Sequence, residues 1–224
     1  MLILNVPYNE KDEAKSLGAR WNAKIKKWYV QDNKDYYKFV KWIKPYGDIV
    51  IIDHLYVVEG IQKCFKCGKD TRVIGFGVDK HLYIDTLLDN VSDDKQLEIQ
   101  FSNMLEQINE EDIHIVGAIN PIPELLMEYL KNKYNYKLRY SKTTNRSSIS
   151  NCCDNCDVLQ GDFFLFYEVD SPFFIYSEED VKKLKIYKIN LDNDIIVNCY
   201  SYGRATFDNM FKKYGNIVLL DIKI

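Results

Sequence analysis

The sequence contains little that would support a secreted or membrane protein. Six cysteines in 224 residues are too few for a disulfide scaffold, which favours metal ligands or free thiols instead. The longest apolar runs fall well short of the roughly 18–20 residues of a membrane-spanning helix. The apolar start at 1–6 is too short for a signal peptide, because Pro7 and the charged stretch 10–15 follow it. We expect a cytoplasmic protein without a membrane partner.

Recognisable catalytic motifs are also missing. The chain has no phosphate-binding loop, no nucleophile elbow and no paired-carboxylate pattern. A zinc deaminase is excluded because no H-x-E precedes a P-C-x-x-C. The three histidines, His54, His81 and His114, lie in apolar segments without ligand spacing, so we expect structural or surface roles for them. These absences argue against an enzyme, although an active site assembled from distant residues would leave no such motif.

The composition is that of a folded chain with two differently charged parts. Hydrophobic residues make up 46% of the sequence, which is enough for a sizeable core. Residues 1–45 carry ten Lys or Arg against five Asp or Glu, whereas the rest of the chain carries 20 against 28. A basic head on an acidic body predicts two parts with different partners, the head facing an anionic ligand such as nucleic acid. The alternative is that these lysines only solvate a small module.

The beginning of the chain has the pattern of a small αβ module. Capping and turn residues divide it into four elements: a strand at 2–6, a helix at 10–17, a hairpin-like pair of strands at 19–30 and a helix at 34–43. Asn9 is the expected N-cap of the first helix, and Gly18 is its expected stop. We place the joint at Tyr46-Gly47-Asp48, so that residues 1–46 and 47–224 form separate domains.

The segment VPYNEKDEAKSLGARWNAKIKKWYV at 6–30 resembles a small uncharacterised module of bacterial and mobile-element proteins. That module often accompanies primase-like, topoisomerase-like and other DNA-processing domains. It follows the pattern V-P-Y-x-E-K-D-x-A-K-x-L-G-A-x-W-x-x-x-x-K-K-W-Y-V. The matching residues are Val6, Pro7, Tyr8, Glu10, Lys11, Asp12, Ala14, Lys15, Leu17, Gly18, Ala19, Trp21, Lys26, Lys27, Trp28, Tyr29 and Val30. The resemblance covers under a fifth of the chain and implies an association with proteins that process nucleic acids.

Basic and aromatic residues are interleaved in the hairpin of this module. In a strand, Lys27 and Tyr29 face one side, while Trp28 and Val30 face the other. We expect Trp21 and Trp28 to be core anchors, because a module of this size needs large apolar side chains. The predicted nucleic-acid contacts are the cations that can meet phosphates and one aromatic ring that can stack on unpaired bases: Arg20, Lys24, Lys26, Lys27 and Tyr29.

Two C-x-x-C pairs carry the clearest chemical signal. Together Cys64, Cys67, Cys153 and Cys156 supply the four thiolates of a closed tetrahedral site for a structural Zn²⁺. The pairs are separated by 85 residues, far more than in a simple zinc ribbon. Because loop closure scales with the logarithm of length, a fivefold longer loop costs only about 1.4 kcal/mol more. Structural zinc contributes roughly 10–16 kcal/mol, so one shared site is favoured.

Other arrangements of the cysteines stay open. They include two partial sites, a redox pair and the absence of any metal. Cys152 could replace Cys153 as a ligand, although the C-x-x-C spacing favours Cys153. Cys199 is expected to be a buried strand thiol.

The surroundings of the two cysteine pairs resemble uncharacterised bacterial proteins built round a split zinc ribbon. The resemblance rests on the runs Cys64-x-x-Cys67-Gly68-x-x-Thr71-x-Val73-Ile74 and Asn151-Cys152-Cys153-x-x-Cys156-x-x-x-Gln160-Gly161-Asp162-Phe163. It implies a zinc-ribbon-like body and no particular function.

The fold class predicted for the whole chain is α+β. A small N-terminal αβ module precedes a mixed α/β body that contains the zinc-ribbon-like pair of cysteine knuckles. Apolar spacing predicts body helices at 97–108, 124–134, 178–184 and 205–214. The aromatic-rich segment Gly161–Val169 is predicted to be a strand covered on both faces. Gln160-Gly161-Asp162 is predicted to be a turn.

The sequence favours a zinc-containing accessory protein of bacterial or mobile-element origin, without catalytic activity, that associates with single-stranded or distorted DNA or RNA. A first alternative is a protein-interaction, regulatory or immunity-type protein, in which the acidic body binds a basic partner and zinc only holds the fold. A second alternative is a cryptic enzyme that acts on nucleic acid.

Overall fold

The computed structural model describes residues 1–84, 93–107, 112–200 and 207–224. Its strands are β1 (Leu2–Leu4), β2 (Arg20–Asn22), β3 (Lys27–Val30), β4 (Ile49–Ile51), β5 (His54–Lys63), β6 (Asp70–Val78), β7 (His81–Tyr83), β8 (His114–Val116), β9 (Ala118–Asn120), β10 (Tyr136–Ser141), β11 (Arg146–Asn151), β12 (Lys185–Asn190), β13 (Ile195–Tyr200) and β14 (Ile217–Lys223). Its α-helices are α1 (Lys11–Ser16), α2 (Val40–Ile43), α3 (Asp94–Gln107), α4 (Glu124–Lys133), α5 (Asp162–Phe166), α6 (Glu178–Lys182) and α7 (Asn209–Tyr214). Short 3-10 helices span Tyr8–Glu10, Asn33–Phe39 and Lys44–Tyr46.

These elements confirm the α+β class. The N-terminal strands form a sheet in the order β1-β3-β2, and the largest sheet has the order β14-β12-β5-β6-β8. A second sheet of the body has the order β7-β4-β13-β9, and β10 pairs with β11 in a separate hairpin. The pairing is antiparallel except between β12 and β14. No helix within the described ranges combines the length and apolar character needed to cross a membrane.

Buried side chains of the N-terminal module continue into the body. Leu2, Leu4 and Phe39 belong to the same hydrophobic cluster as Val50 and Leu82. The backbone of the module also touches the body directly, since Asp194 N donates to Met1 O at 2.8 Å. The boundary at residue 46 stays a prediction, although the two parts share this cluster.

Asp194 is the polar junction between the module and the body. Its buried carboxylate accepts from Tyr36 Oη at 2.5 Å and from the backbone N–H of Asp53 at 3.1 Å. The N-terminal ammonium lies 3.8 Å from the same carboxylate. Burial, and then the negative charge of Asp194, hold the pKa of Tyr36 far above its ordinary value, so its hydroxyl stays a donor.

The N-terminal helices differ in detail from the prediction. The predicted N-cap Asn9 is wrong, because Tyr8–Glu10 forms a 3-10 turn and Glu10 occupies the N-cap position of α1. The Glu10 side chain instead accepts from Trp42 Nε1 at 2.6 Å, which joins the start of α1 to α2. Gly18 follows α1 with φ +105°, a left-handed conformation that suits glycine and ends the helix as predicted.

The predicted strand at Gly161–Val169 is also wrong. Residues 162–166 form the short helix α5, which buries Leu165 and Phe166 and leaves Phe163 and Phe164 exposed. A short continuous apolar run does not distinguish a buried strand from a helix, because either structure can cover such a run. The other predicted body helices occur with shifted ends: α3, α4, α6 and α7. Residue 108 of the first and residues 205–206 of the last lie outside the described residues.

Replacing Tyr36 with phenylalanine tests the junction at Asp194. Tyr36→Phe removes one donor from a buried carboxylate and is expected to lower the free energy of unfolding by about 1–3 kcal/mol. Urea unfolding followed by circular dichroism measures the change. Tyr8→Phe is the matched control, since Tyr8 is 81% exposed and should cost almost nothing. Equal unfolding midpoints for the two variants would contradict a stabilising role for this hydrogen bond.

Candidate metal centre and nucleic-acid interface

The two C-x-x-C segments fold into knuckles with the same backbone hydrogen bonds. The residue after the second cysteine donates its N–H to the carbonyl of the first, from Gly68 to Cys64 at 2.9 Å and from Asp157 to Cys153 at 3.0 Å. Gly68 and Asp157 both have left-handed backbones, with φ +69° and +61°. Glycine adopts this conformation without strain, and aspartate is among the residues that tolerate it. Each cysteine pair therefore forms its turn through hydrogen bonds within its own segment.

Tertiary structure brings the four sulfur atoms of Cys64, Cys67, Cys153 and Cys156 together, all within 4.8 Å of one another. The Sγ atoms of Cys64 and Cys156 lie 3.7 Å apart, as do those of Cys67 and Cys153. Four thiolates at the Zn–S distance of about 2.3 Å would have sulfur atoms about 3.8 Å apart, so the donor set fits a tetrahedral zinc ion. The separation is too long for a disulfide, whose S–S bond is about 2.05 Å.

The knuckle backbone favours thiolates at Cys64 and Cys153. Burial acts to raise the pKa of Cys153, but the N–H groups of Cys156 and Asn155 outweigh it and lower the pKa to about 6. The same competition, with the N–H groups of Cys67 and Lys66, lowers the pKa of Cys64. At Cys156 the backbone N–H of Val158 acts to lower the pKa, but burial and the neighbouring cysteine side chains raise it to about 12. Because metal ions bind thiolates and not thiols, the backbone donors prepare Cys64 and Cys153 for a cation.

The other two cysteines stand apart from the cluster. Cys152 is buried and its Sγ lies 3.7 Å from the carbonyl oxygen of Ser150, so Cys153 and not Cys152 meets the first knuckle. Burial raises the pKa of Cys152. Cys199 lies in β13, where burial raises the pKa of its thiol to about 12. Both therefore remain protonated at neutral pH, as expected for structural thiols.

Polar side chains in and beside the second knuckle form hydrogen bonds with β6, the strand that follows the first knuckle. The amide of Asn151 bridges both backbone groups of Ile74 in β6, accepting from N–H and donating to C=O at 2.8 Å each. Asp154 N donates to Thr71 Oγ1 at 2.8 Å, and Arg72 Nε donates to the Asp154 carboxylate at 3.0 Å. These contacts hold the second knuckle in register with β6.

Sequence reasoning missed the residues that support the cluster. Gln160, predicted to lie in a turn, is buried, and its Nε2 donates to Cys64 Sγ at 3.6 Å. Asn151 was not singled out either. An isolated Asn or Gln carries no spacing signal, since its role depends on a partner more than 70 residues away. The local indication of a role at the cluster was their position in the sequence, with Asn151 next to Cys152 and Gln160 four residues after Cys156.

The hairpin of the N-terminal module separates two faces as the alternation predicts. Leu4, Trp28 and Val30 share the face that packs on the hydrophobic cluster. Arg20 pairs with Tyr29 on the opposite face, and Lys27 lies two residues away on that same face. Arg20 and Lys27 are exposed and Tyr29 is half-buried. This face presents two cations on either side of one aromatic ring.

The remaining predicted contacts lie in the turn of the hairpin. Asn22 Oδ1 accepts from the backbone N–H groups of Lys24 at 3.0 Å and Ile25 at 3.3 Å, which closes the turn. Lys24 and Lys26 are exposed there, next to Lys27. The predicted residues are therefore spread along the hairpin, with Arg20, Lys27 and Tyr29 on its strands and Lys24 and Lys26 in its turn. Their contact with nucleic acid stays a prediction.

Trp21 was expected in the core and is instead 52% exposed. It lies on the same face of the sheet as Trp28, but β2 is an edge strand, so no further strand of this sheet lies beside it. Trp28 packs edge-on against the Trp21 ring, with ring centroids 5.5 Å apart. The partly buried Trp28 fulfils its expected role, whereas Trp21 adds a large exposed aromatic surface to the basic hairpin.

Asn151→Ala tests whether the second knuckle depends on its clamp to β6. The substitution leaves two buried backbone groups of Ile74 without this partner, and we expect it to lower the free energy of unfolding by about 2–4 kcal/mol. Asn9→Ala is the control, because Asn9 is an exposed asparagine of the N-terminal module and lies in neither knuckle. Urea unfolding of both variants under identical metal conditions measures the difference, and equal losses would contradict the clamp.

The N-terminal module is similar in sequence to parts of known proteins. The family model described as domain of unknown function DUF5710 matches residues 1–44. Two proteins named DNA primase TraC from Escherichia coli also match. One is 59% identical over 39 residues, which are 17% of this chain and 3% of that protein. The other is 51% identical over 41 residues, which are 18% of this chain and 4% of that protein.

These matches confirm the resemblance of the N-terminal module to a module of primase-associated proteins. The chain spans only 3–4% of the length of these two relatives. No solved structure gives a significant match to the chain. The split zinc ribbon predicted for the body stays a prediction.

Proposed function

We propose that this protein is a zinc-containing, nucleic-acid-associated accessory protein of bacterial or mobile-element origin. Its N-terminal module binds single-stranded or distorted DNA or RNA through Arg20, Lys24, Lys26, Lys27 and Tyr29. A structural Zn²⁺ on Cys64, Cys67, Cys153 and Cys156 holds the body together. The observation that carries the proposal is the exposed basic and aromatic hairpin, within a module that is similar to part of a DNA primase.

The charge of the hairpin supports an anionic ligand. Residues 14–31 contain five Lys or Arg and no acidic residue, so no carboxylate within this stretch neutralises the cations. Lysine and arginine side chains that contact phosphates release condensed counterions, and this release drives binding at low salt. Tyr29 and the exposed Trp21 offer aromatic surfaces on which unpaired bases can stack. The aromatic surfaces favour single strands over a duplex, whose bases are already stacked, whereas the cations suit the phosphates of either.

Fluorescence anisotropy with labelled single-stranded DNA, duplex DNA and RNA, at low and near-physiological salt, tests this proposal. We expect saturable binding that weakens as salt rises and favours one type of strand. The double variant Lys27→Ala/Tyr29→Ala should weaken binding roughly tenfold to a hundredfold, because it removes one phosphate contact and one stacking ring. Its fold should persist, since neither side chain is fully buried.

Lys131→Ala supplies the matched control for charge. Lys131 is an exposed lysine of α4 in the body, so this variant loses the same charge without touching the hairpin. We expect it to bind like the unaltered protein. Undiminished binding by Lys27→Ala/Tyr29→Ala would remove the hairpin as the contact surface, and no binding to any strand at low salt would refute the proposed function.

Serine substitutions at the adjacent residues Cys152 and Cys153 test the zinc site. Cys153→Ser should lose zinc, measured as metal per chain by elemental analysis, and should melt at a much lower temperature. Cys64→Ser should behave alike, since the two knuckles share one ion. Cys152→Ser should keep its metal, because the Cys152 sulfur lies outside the cluster, and its melting temperature should fall far less than that of Cys153→Ser. Unchanged metal content in Cys64→Ser and Cys153→Ser would refute the shared site.

A second candidate function is protein binding by the acidic body. Its support is the exposed aromatic surface of α5 and the residue that follows it, where Phe163 and Tyr167 stack with ring centroids 6.4 Å apart. Such exposed apolar side chains are common at protein interfaces. If anisotropy detects no binding to nucleic acid at low salt, a pull-down from the native host identifies the protein partner.

A further inference from the structure

A cavity lies on the body between the later part of β5 and the helix α6. Its volume is about 450 Å³, which is within the usual range of ligand pockets. The backbone beneath it is closely packed, since a Cβ at Gly60 of β5 would lie only 2.9 Å from the Cβ of Pro172. The residues that line the cavity are Ile61, Asp170, Ser171, Pro172, Phe174, Tyr176, Asp180, Lys183 and Leu184.

A polar side chain in this lining has no partner. Ser171 is only 7% exposed, and its Oγ forms no hydrogen bond within the part of the chain that the structure describes. Buried polar side chains nearly always have a hydrogen-bond partner, so an exception calls for an explanation. Because a hydroxyl accepts as well as donates, an N–H donor of a bound molecule would satisfy Ser171.

The segment that forms most of the cavity is strongly acidic. Residues 158–181 contain six Asp or Glu and no Lys or Arg. Lys182 and Lys183, which follow, pair with the three carboxylates in the first turn of α6 at 2.7–3.0 Å. Among the described residues, the exposed carboxylates of Glu168 and Asp170 take part in no ion pair. The surface therefore favours a cation.

Asp170 is the carboxylate that a ligand in the cavity can use. Asp180 lines the cavity too, but its Oδ2 accepts from Ser177 Oγ at 2.8 Å and its Oδ1 from Lys183 Nζ at 2.9 Å. The same Asp180 closes the capping box at the start of α6, so its role is to position this wall. Asp170 is exposed, and in the described ranges neither of its oxygens accepts a hydrogen bond.

Aromatic rings form another part of the lining. Phe174 and Tyr176 pack edge to face, with ring centroids 4.7 Å apart, and Tyr176 is 51% exposed. A guanidinium group is planar, stacks on aromatic rings and offers five N–H donors, whereas a lysine ammonium is a compact and strongly hydrated charge. The combination of a ring, a carboxylate and a hydroxyl acceptor therefore suits arginine better than lysine.

The acidic and aromatic surface extends beyond the cavity. The exposed Glu168 lies next to Tyr167, which is 52% exposed. The segment that lines the cavity is also joined to α5, since the N–H of Phe173 donates to the carbonyl of Leu165 at 3.2 Å. A single small molecule would leave this additional surface uncovered, whereas a polypeptide with more than one basic residue would cover it.

We propose that the cavity binds an arginine side chain from a basic segment of a partner protein. The guanidinium stacks on Tyr176, pairs with the carboxylate of Asp170 and donates to Ser171 Oγ. This inference gives the second candidate function, protein binding by the acidic body, a site and a partner of defined chemistry, and it rests on that function. It does not depend on the contact between the N-terminal hairpin and nucleic acid.

Fluorescence anisotropy with labelled hexa-arginine and hexalysine peptides, at near-physiological salt, tests the preference for arginine. We expect hexa-arginine to bind roughly fivefold more tightly, although both peptides carry the same charge, because only the guanidinium stacks on Tyr176. Tyr176→Leu should remove most of this preference. Tyr140→Leu should retain it, since Tyr140 is an exposed tyrosine of β10 that does not line the cavity. Equal affinity of the unaltered protein for the two peptides would overturn the proposal.

Two further variants test the polar contacts. Asp170→Asn should weaken hexa-arginine binding roughly fivefold, and asparagine tolerates the left-handed backbone of this position, where φ is +68°. Glu128→Gln removes the same charge from an exposed position of α4 and should have little effect. Ser171→Ala should weaken binding roughly threefold. Its melting temperature without peptide should stay the same or rise, because the change removes a buried hydroxyl that has no partner.

The outcomes separate this site from the proposed functions. Circular dichroism confirms the fold of each variant. Hexa-arginine binding that is unaltered in Asp170→Asn, Tyr176→Leu and Ser171→Ala would overturn the cavity as the site, while protein binding by another part of the acidic body would stand. Free L-arginine that binds as tightly as the peptide would overturn the protein partner. The absence of any peptide binding to the unaltered protein would overturn both this inference and the second candidate function.

Discussion

The convergence of the four cysteine sulfurs is the constraint on which the organisation of the body depends. It joins the tip of the β5–β6 hairpin to a knuckle that follows β11, across 85 residues of intervening sequence. Separate polar contacts secure the same junction, since Asn151 holds the backbone of Ile74 and Gln160 reaches the sulfur of Cys64. The intervening chain therefore folds as an insertion anchored at both ends. Loop closure on this scale costs little free energy compared with the binding of a structural metal ion.

The charged residues are divided unevenly between a basic N-terminal module and an acidic body. The N-terminal module shares buried side chains with the body and is tied to it by Asp194, yet its hairpin points its cations outward. Because the buried face of the module is occupied by the body, the opposite face, with Arg20, Lys27 and Tyr29, is the surface left for a ligand.

The differences between prediction and structure have specific physical causes. Trp21 was expected to be buried because it is large and apolar, but an edge strand has no neighbour to cover such a ring. The aromatic run after Gly161 was expected to be a strand, but as the helix α5 it still buries Leu165 and Phe166. In both cases the apolar character of the residues fixes neither the backbone conformation nor which side chains are covered. Only contacts with distant segments decide between those arrangements.

The sequence by itself determined the α+β class, the approximate positions of several helices and strands, the two faces of the N-terminal hairpin and the shape of each cysteine knuckle. These features depend on residues within a few positions of one another, such as the Gly68 turn that closes on Cys64. The two C-x-x-C spacings also predicted that the knuckles share one cluster, and the structure confirms that the four sulfur atoms meet. Tertiary structure alone decided that Asn151 and Gln160 support this cluster. A long-range contact between a single Asn, Gln or His and its partner leaves no periodic pattern in a chain. Such contacts arise only when the pairing of strands brings distant residues to the same edge of a sheet.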